Sequence, residues 1–202
     1  MRRLGSRVVV LLAVAVSLLL VLVPSPASAG CGTVGVWAGW QFSNEGGRFD
    51  GWKGGVDYEY RVGARIIPEL QFALEVPFES WQSTPKVQTN LGGFHLNTTT
   101  WSIIPTAKVY WSALPELRPY IGAGVGYART DFDDPIDDGE NSLAWRAVAG
   151  AEYILPIKLP FWVFLEYQYT SVGIEDAQPI LDLGDDSDLG GNAITGGIRF
   201  GF

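Results

Sequence analysis

Apolar and polar side chains alternate with a period of two in eight successive segments of the chain. This is the spacing of a strand that turns one face to a nonpolar phase and the other away from it. Residues 33–43 place Val34, Val36, Ala38, Trp40 and Phe42 on one face. Residues 52–62 set Val56, Tyr58, Tyr60 and Val62 against Lys53, Asp57, Glu59 and Arg61, and residues 69–81 set Leu70, Phe72, Leu74, Val76 and Phe78 against Gln71, Glu75 and Glu79. Residues 99–111 oppose Ile103, Ala107, Val109 and Trp111 to Ser102, Thr106 and Lys108. A glycine-rich fifth segment, 117–130, alternates Ile121, Ala123, Val125 and Tyr127 with Gly122, Gly124 and Gly126. Residues 142–155 set Leu143, Trp145, Ala147, Ala149 and Tyr153 against Arg146 and Glu152, and residues 161–171 set Phe161, Val163, Leu165, Tyr167 and Tyr169 against Trp162, Glu166 and Gln168. The last segment, 191–202, alternates Ile194, Ile198, Phe200 and Phe202 with Ala193, Thr195 and Arg199.

The connections alternate in length. Residues 63–68, 112–116 and 156–160 are short, whereas 44–51, 82–98, 131–141 and 172–190 are longer and more polar. Short turns at one end, long loops at the other and an even strand count predict an all-β fold, an eight-stranded antiparallel up-and-down transmembrane β-barrel with both termini in the periplasm. Trp40, Trp52, Trp81, Trp101 and Trp145 fall near the external strand ends and are expected to form most of one aromatic girdle. A soluble barrel of lipocalin type would share the alternation but turn the apolar faces inward. In lipid the apolar faces turn outward, and Asp57, Glu59, Arg61, Glu75, Glu79, Lys108, Arg146, Glu152, Glu166 and Arg199, with Lys53, become lumen-facing. Eight strands enclose little more than their own side chains, so these groups are expected to close the lumen as a plug of ion pairs.

Residues 1–29 change the picture by adding an export signal. Arg2, Arg3 and Arg7 precede an apolar run from Val8 to Val23, followed by Pro24 and Ala27-Ser28-Ala29, the layout of a cleaved signal peptide. The barrel domain then spans 30–202, and no later apolar run approaches the ~20 residues of a spanning helix. Cleavage moves the formal charge from -8 to -11 by removing those three arginines, which disfavours a nucleic-acid partner. Eight Trp, eight Tyr and ten Phe with 25 Gly suit a sheet with one lipid-facing side. Cys31 is the sole cysteine, so an internal disulfide is excluded. Ser28-Ala29-Gly30-Cys31 is similar to a lipoprotein processing site but carries Ser28 where Leu is usual; a free thiol and a lipidated one are the two readings.

Pro77 and Pro105 lie in the third and fourth strands at similar depth, and neither can donate a ladder hydrogen bond. Two readings follow: a weakened seam that serves as a lateral portal for an apolar solute, or a pair of bulges that bend the wall. Twelve acids crowd the third and fourth long loops, among them Asp133, Asp134, Asp185 and Asp186. Clustered carboxylates attract divalent cations and would bridge lipopolysaccharide, yet their spacing matches no complete calcium loop. No metal site or cofactor is assigned.

The segments Arg118-Pro119-Tyr120-Ile121-Gly122-Ala123-Gly124-Val125-Gly126-Tyr127, Leu165-Glu166-Tyr167-Gln168-Tyr169-Thr170 and Arg199-Phe200-Gly201-Phe202 resemble the small outer-membrane β-barrel superfamily that holds outer-membrane protein W-like and outer-membrane protein A-like barrels. The resemblance covers nearly the whole mature chain. It implies a bacterial outer-membrane location, contact with outer-membrane lipid and lipopolysaccharide, and a role for Phe202 as the signal read by the barrel assembly machinery. Lipid A deacylases of similar build carry a His two residues before a Ser in the seventh strand. Here Tyr169-Thr170-Ser171 has tyrosine at that place, which removes the general base. The sole histidine, His95, stands in the second long loop. The expectation is a non-enzymatic membrane scaffold or surface interaction protein. A channel for small apolar solutes, entering at the lumen mouth and leaving by the portal, comes second, and a lipid A-modifying enzyme third.

Overall fold

A computed structural model describes residues 30–43, 50–63, 69–83, 86–89, 92–95, 97–114, 116–132, 139–156, 159–173 and 190–202. The leader, its cleavage site and most of the acidic loop residues lie outside the described residues. Eleven strands follow one another: β1 Gly30–Ser43, β2 Gly51–Gly63, β3 Leu70–Ser83, β4 Lys86–Thr89, β5 Gly92–His95, β6 Thr98–Ile103, β7 Thr106–Trp111, β8 Leu117–Phe132, β9 Gly139–Ile154, β10 Phe161–Val172 and β11 Gly191–Gly201. β6 and β7 are two halves of one wall strand, so the wall has eight strands. Each is antiparallel to both neighbours, and β1 pairs with β11 to close the ring.

The stagger of the ring follows from its pairing. Cys31 pairs with Arg61, Arg61 with Ala73, Ala73 with Lys108, and Lys108 with Gly122. Gly122 then pairs with Val148, Val148 with Gln168, Gln168 with Ala193, and Ala193 with Gln41. One circuit therefore returns ten residues further along β1, from Cys31 to Gln41. That shear tilts the strands and fixes a narrow interior.

Parity sorts the side chains as the period of two requires. Leu74, Ile121, Val125, Leu165 and Ile194 project outward from the wall, each more than half exposed. An apolar exterior around charged inward rows is stable only in hydrocarbon, where the closed ladder leaves no edge unpaired. Trp40 packs edge-on against Trp52, Trp101 stacks near Tyr127, and Trp145 lies over Tyr169, forming the external girdle. Trp81 departs from the expectation. Its odd number shares the parity of Glu75 and Glu79, and it turns into the lumen at 2% exposure. The second long loop also differs: β3 runs on to Ser83, opposite Thr98, and β4 and β5 continue the same register as a two-stranded ribbon beyond the rim.

Pro77 and Pro105 bear on one interruption in the wall. β3 pairs with β6 down to Phe78↔Ile103 and resumes with β7 at Glu75↔Thr106. On the other side β8 pairs Ile103↔Tyr127 and resumes at Thr106↔Gly124. Both halves keep one register on both sides, so no residue is inserted and the break is not a bulge. The Ser112 N–H donates to Glu69 O at 2.7 Å. Counting up that ladder in twos places Pro77 opposite Ile104 where the two residues would exchange both bonds, and turns Pro105 toward Val125 on the other side. Each proline thus deletes one rung, on opposite flanks of the same strand.

Neighbouring glycines of β11 test the inside–outside assignment. A Cβ on inward Gly197 would lie 2.3 Å from Val36 O and 2.6 Å from Trp37 Cβ, whereas one on outward Gly196 would come no nearer than 3.4 Å to Phe164 O. Gly197→Ala should lower stability by about 1–3 kcal/mol through overpacking, with Gly196→Ala close to neutral, as read from the denaturant midpoint of refolding into lipid vesicles.

Candidate functional site

The lumen concentrates the chemistry of the chain. Asp57, Glu59, Arg61, Glu75, Glu79, Lys108, Arg146, Glu152, Glu166 and Arg199 all turn inward with Lys53, none more than 5% exposed. They are carried by six of the eight wall strands, so only ring closure brings them together. At the end that carries the short turns Arg61 pairs with Glu59 and grips both oxygens of Glu152, its Nη2 lying 2.7 Å from Glu152 Oε2. The Tyr110 hydroxyl donates to Glu59 at 2.6 Å. Arg199 spans from Asp57 at 3.1 Å to Glu75 at 2.7 Å.

Glu75 is the hub of the network. Its carboxylate meets Lys108, Arg146 at 2.6 Å and Arg199. Lys108 also reaches Glu166 at 2.8 Å, and Gln168 donates to the other Glu166 oxygen at 2.7 Å. Toward the external end Arg146 lies 3.3 Å from Glu79, which also takes Lys53 at 3.1 Å and the Ser102 hydroxyl at 2.9 Å. Every ionised group of the plug is therefore met by opposite charge, the condition under which buried ions can be kept, although Asp57 Oδ2 takes no hydrogen bond. Arg118, 3.8 Å from Glu152, adds a sixth cation at the short-turn rim and balances the six acids.

Glycine makes room for these long side chains. A Cβ on Gly35 would fall 2.5 Å from the Asp57 carboxylate and 2.9 Å from Arg199 Cγ, and one on Gly122 would fall 2.8 Å from Lys108 Cγ. Large and small inward residues interdigitate across neighbouring strands, as a filled small barrel demands. Aromatic faces complete the packing. Arg61 lies 4.4 Å over Tyr110, Lys108 4.6 Å over Tyr120, Arg199 4.2 Å over Phe164 and Lys53 4.8 Å over Trp81. Beyond Trp81 the external mouth is lined by Ala128, Ala144 and Val172, with hydroxyl pairs Thr100–Thr130 at 2.8 Å and Ser83–Thr98 at 2.6 Å.

Several participants escaped the sequence reading. Tyr110, Arg118, Trp37 and Phe164 all have inward parity, a signal present in the sequence, although their partners across the lumen follow only from the stagger. Pro77 is buried and Pro105 exposed on either side of the interruption. Phe202 ends the chain with its N–H donating to Gly32 O at 3.0 Å.

Ser171 pairs with Trp145 near the external end of β10, while His95 lies in β5 of the separate two-stranded ribbon. Thr170 accepts a bond from Lys53 at 3.2 Å inside the lumen. Among the described residues no group of three or more His, Cys, Asp or Glu is arranged to hold a metal ion.

Truncating Glu75 should strand three cations at once. Glu75→Ala is expected to cost about 3–5 kcal/mol, the range for breaking a buried ion pair, against well under 1 kcal/mol for Val76→Ala on the lipid-facing side. Urea unfolding in lipid vesicles measures both.

The profile of a protein family described as the outer membrane protein beta-barrel domain matches residues 13–202. No curated protein matches the chain. Among solved structures, Neisserial surface protein A is 17% identical, covering 88% of this chain and 100% of its own, with a TM-score of 0.57. Ail, the attachment invasion locus protein of Yersinia pestis, in complex with the heparin analogue sucrose octasulfate, is 12% identical over 86% of this chain and 98% of its own, with a TM-score of 0.53. OprG from Pseudomonas aeruginosa is 13% identical over 87% and 96%, with a TM-score of 0.51. At these identities the likeness is one of fold.

Proposed function

The chain belongs to the outer membrane protein β-barrel domain family, and from that premise we propose that it is a non-enzymatic barrel, sealed along its axis, that serves as a membrane scaffold and surface interaction protein. Its place is the bacterial outer membrane, with the apolar belt in contact with membrane lipid. The observation that carries the proposal is the salt-bridged lumen: the groups from Arg61 to Lys53 interlock across the bore, and Trp81 lies over the last of them. Nothing in that network resembles a nucleophile with its base, which supports a non-catalytic reading over a lipid A-modifying one.

Charge gives the surface role its direction. The external connections hold Glu45 and Asp50 in the first and six acids in each of the third and fourth, against Arg48 and Lys86. Such a face repels polyanions of the heparin type, and it suits cationic partners or divalent cations bridging to lipopolysaccharide. Phe202, at the free end of the closing strand, is the residue offered to the barrel assembly machinery.

One observation favours a second reading, passage of a small apolar solute. The wall interruption at Ile104–Pro105 lies beside the apolar mouth lined by Trp81, Ala128, Ala144 and Val172, where a portal would open. Planar-bilayer recording separates the two. The wild type should show no ion conductance, and Arg146→Ala, which removes the bridge between Glu75 and Glu79, should introduce discrete steps. Steady wild-type conductance would overturn the sealed barrel. Uptake of an apolar dye by wild-type proteoliposomes without ion current would select the second reading.

A further inference from the structure

Ile104 has lost the donor that a regular wall would give it. Its carbonyl faces β3, where the opposing residue is Pro77, which has no N–H. The Thr106 hydroxyl takes that place, donating to Ile104 O at 2.8 Å from within the lumen. The same hydroxyl oxygen accepts two bonds from Arg146, from Nε at 3.1 Å and from Nη2 at 2.8 Å. Arg146 in turn is anchored on Glu75 at 2.6 Å and Glu79 at 3.3 Å. One donor and two acceptor sites are what a threonine hydroxyl possesses, and all three are engaged.

We infer that Thr106 is a latch that substitutes for the rung Pro77 cannot supply and ties the wall interruption to the ionic plug. The backbone at 104–105 is thereby held shut from inside by the charge network, and whatever loosens Arg146 also frees the wall at this point. This goes beyond both functional readings, since it concerns what holds the wall together whether or not a solute crosses it. Its position is strategic for a second reason. Arg146, which holds the hydroxyl, is itself held by Glu79 on the side of the apolar mouth, so a disturbance from the external side reaches the wall through Glu79 and Arg146.

Hydrogen exchange of the full chain in nanodiscs tests the latch. Thr106→Val keeps the shape and removes the hydroxyl; amides of residues 76, 78, 103, 104, 106 and 124–127 should exchange about tenfold faster, the effect of one lost buried hydrogen bond. Protection along β9 and β10 should stay as in the wild type, and Thr106→Ser should behave as the wild type throughout. Pro77→Ala restores an N–H facing Ile104 O, so the double variant Pro77→Ala/Thr106→Val should regain most of the lost protection. Pro105→Ala restores an N–H on the other flank, toward Val125, and should rescue nothing. Unchanged exchange in Thr106→Val, or equal rescue by the two proline replacements, overturns the latch. If Thr106→Val fails to assemble, assembly restored by Pro77→Ala alone supports the inference, and failure of the double variant overturns it.

Discussion

Closing eight strands in hydrocarbon leaves an interior too narrow for bulk water, so each charge placed there must find its opposite within reach of a side chain. Glu75 meets three cations, Arg146 two carboxylates, and Arg199 both Asp57 and Glu75. An apolar interior of equal volume would be about as stable, because the desolvation of buried ions offsets most of their attraction. What the charges supply is direction. A ribbon greasy on both faces has no preference for which face meets lipid, whereas a row holding Lys53, Asp57, Glu59 and Arg61 can turn only inward. The ionic lumen thus selects one side of every strand and excludes the inverted barrel.

That selection is why so much of the fold is legible in a period of two. Strand limits fall within a few residues of the described ones, and the inward charges follow from parity alone. Trp81 shows where a second rule interferes: its place near an external strand end suggests the girdle, yet its odd number puts it with Glu75 and Glu79. Parity is fixed by the pleat and position is only a tendency, so parity prevails. The β4–β5 ribbon is less legible because the alternation of apolar and polar residues from 86 to 95 is weak.

Within the site, membership is readable and pairing is not. Arg199 reaches Asp57 across a neighbouring strand, and it reaches Glu75 and the Tyr110 hydroxyl across the bore. Those partners are decided by the ten-residue stagger between Cys31 and Gln41, a property of ring closure that no single segment carries. The space that Gly35 and Gly122 leave is likewise assigned only when the stagger sets them beside Asp57, Arg199 and Lys108.

The two prolines join wall and plug in one account. A proline in a spanning strand leaves an acceptor without its rung, and in hydrocarbon no water can take the place of the missing donor. Repair must come from a side chain, and only lumen-facing polar residues are available at that depth. Ile104 O is served by Thr106, which is itself fixed by Arg146. A lipid-facing neighbour such as Val76 or Ala107 could offer nothing. The polar interior that selects the orientation of the strands is therefore also what lets this wall keep a proline facing Ile104, and the integrity of the barrel at that point depends on the charges it encloses.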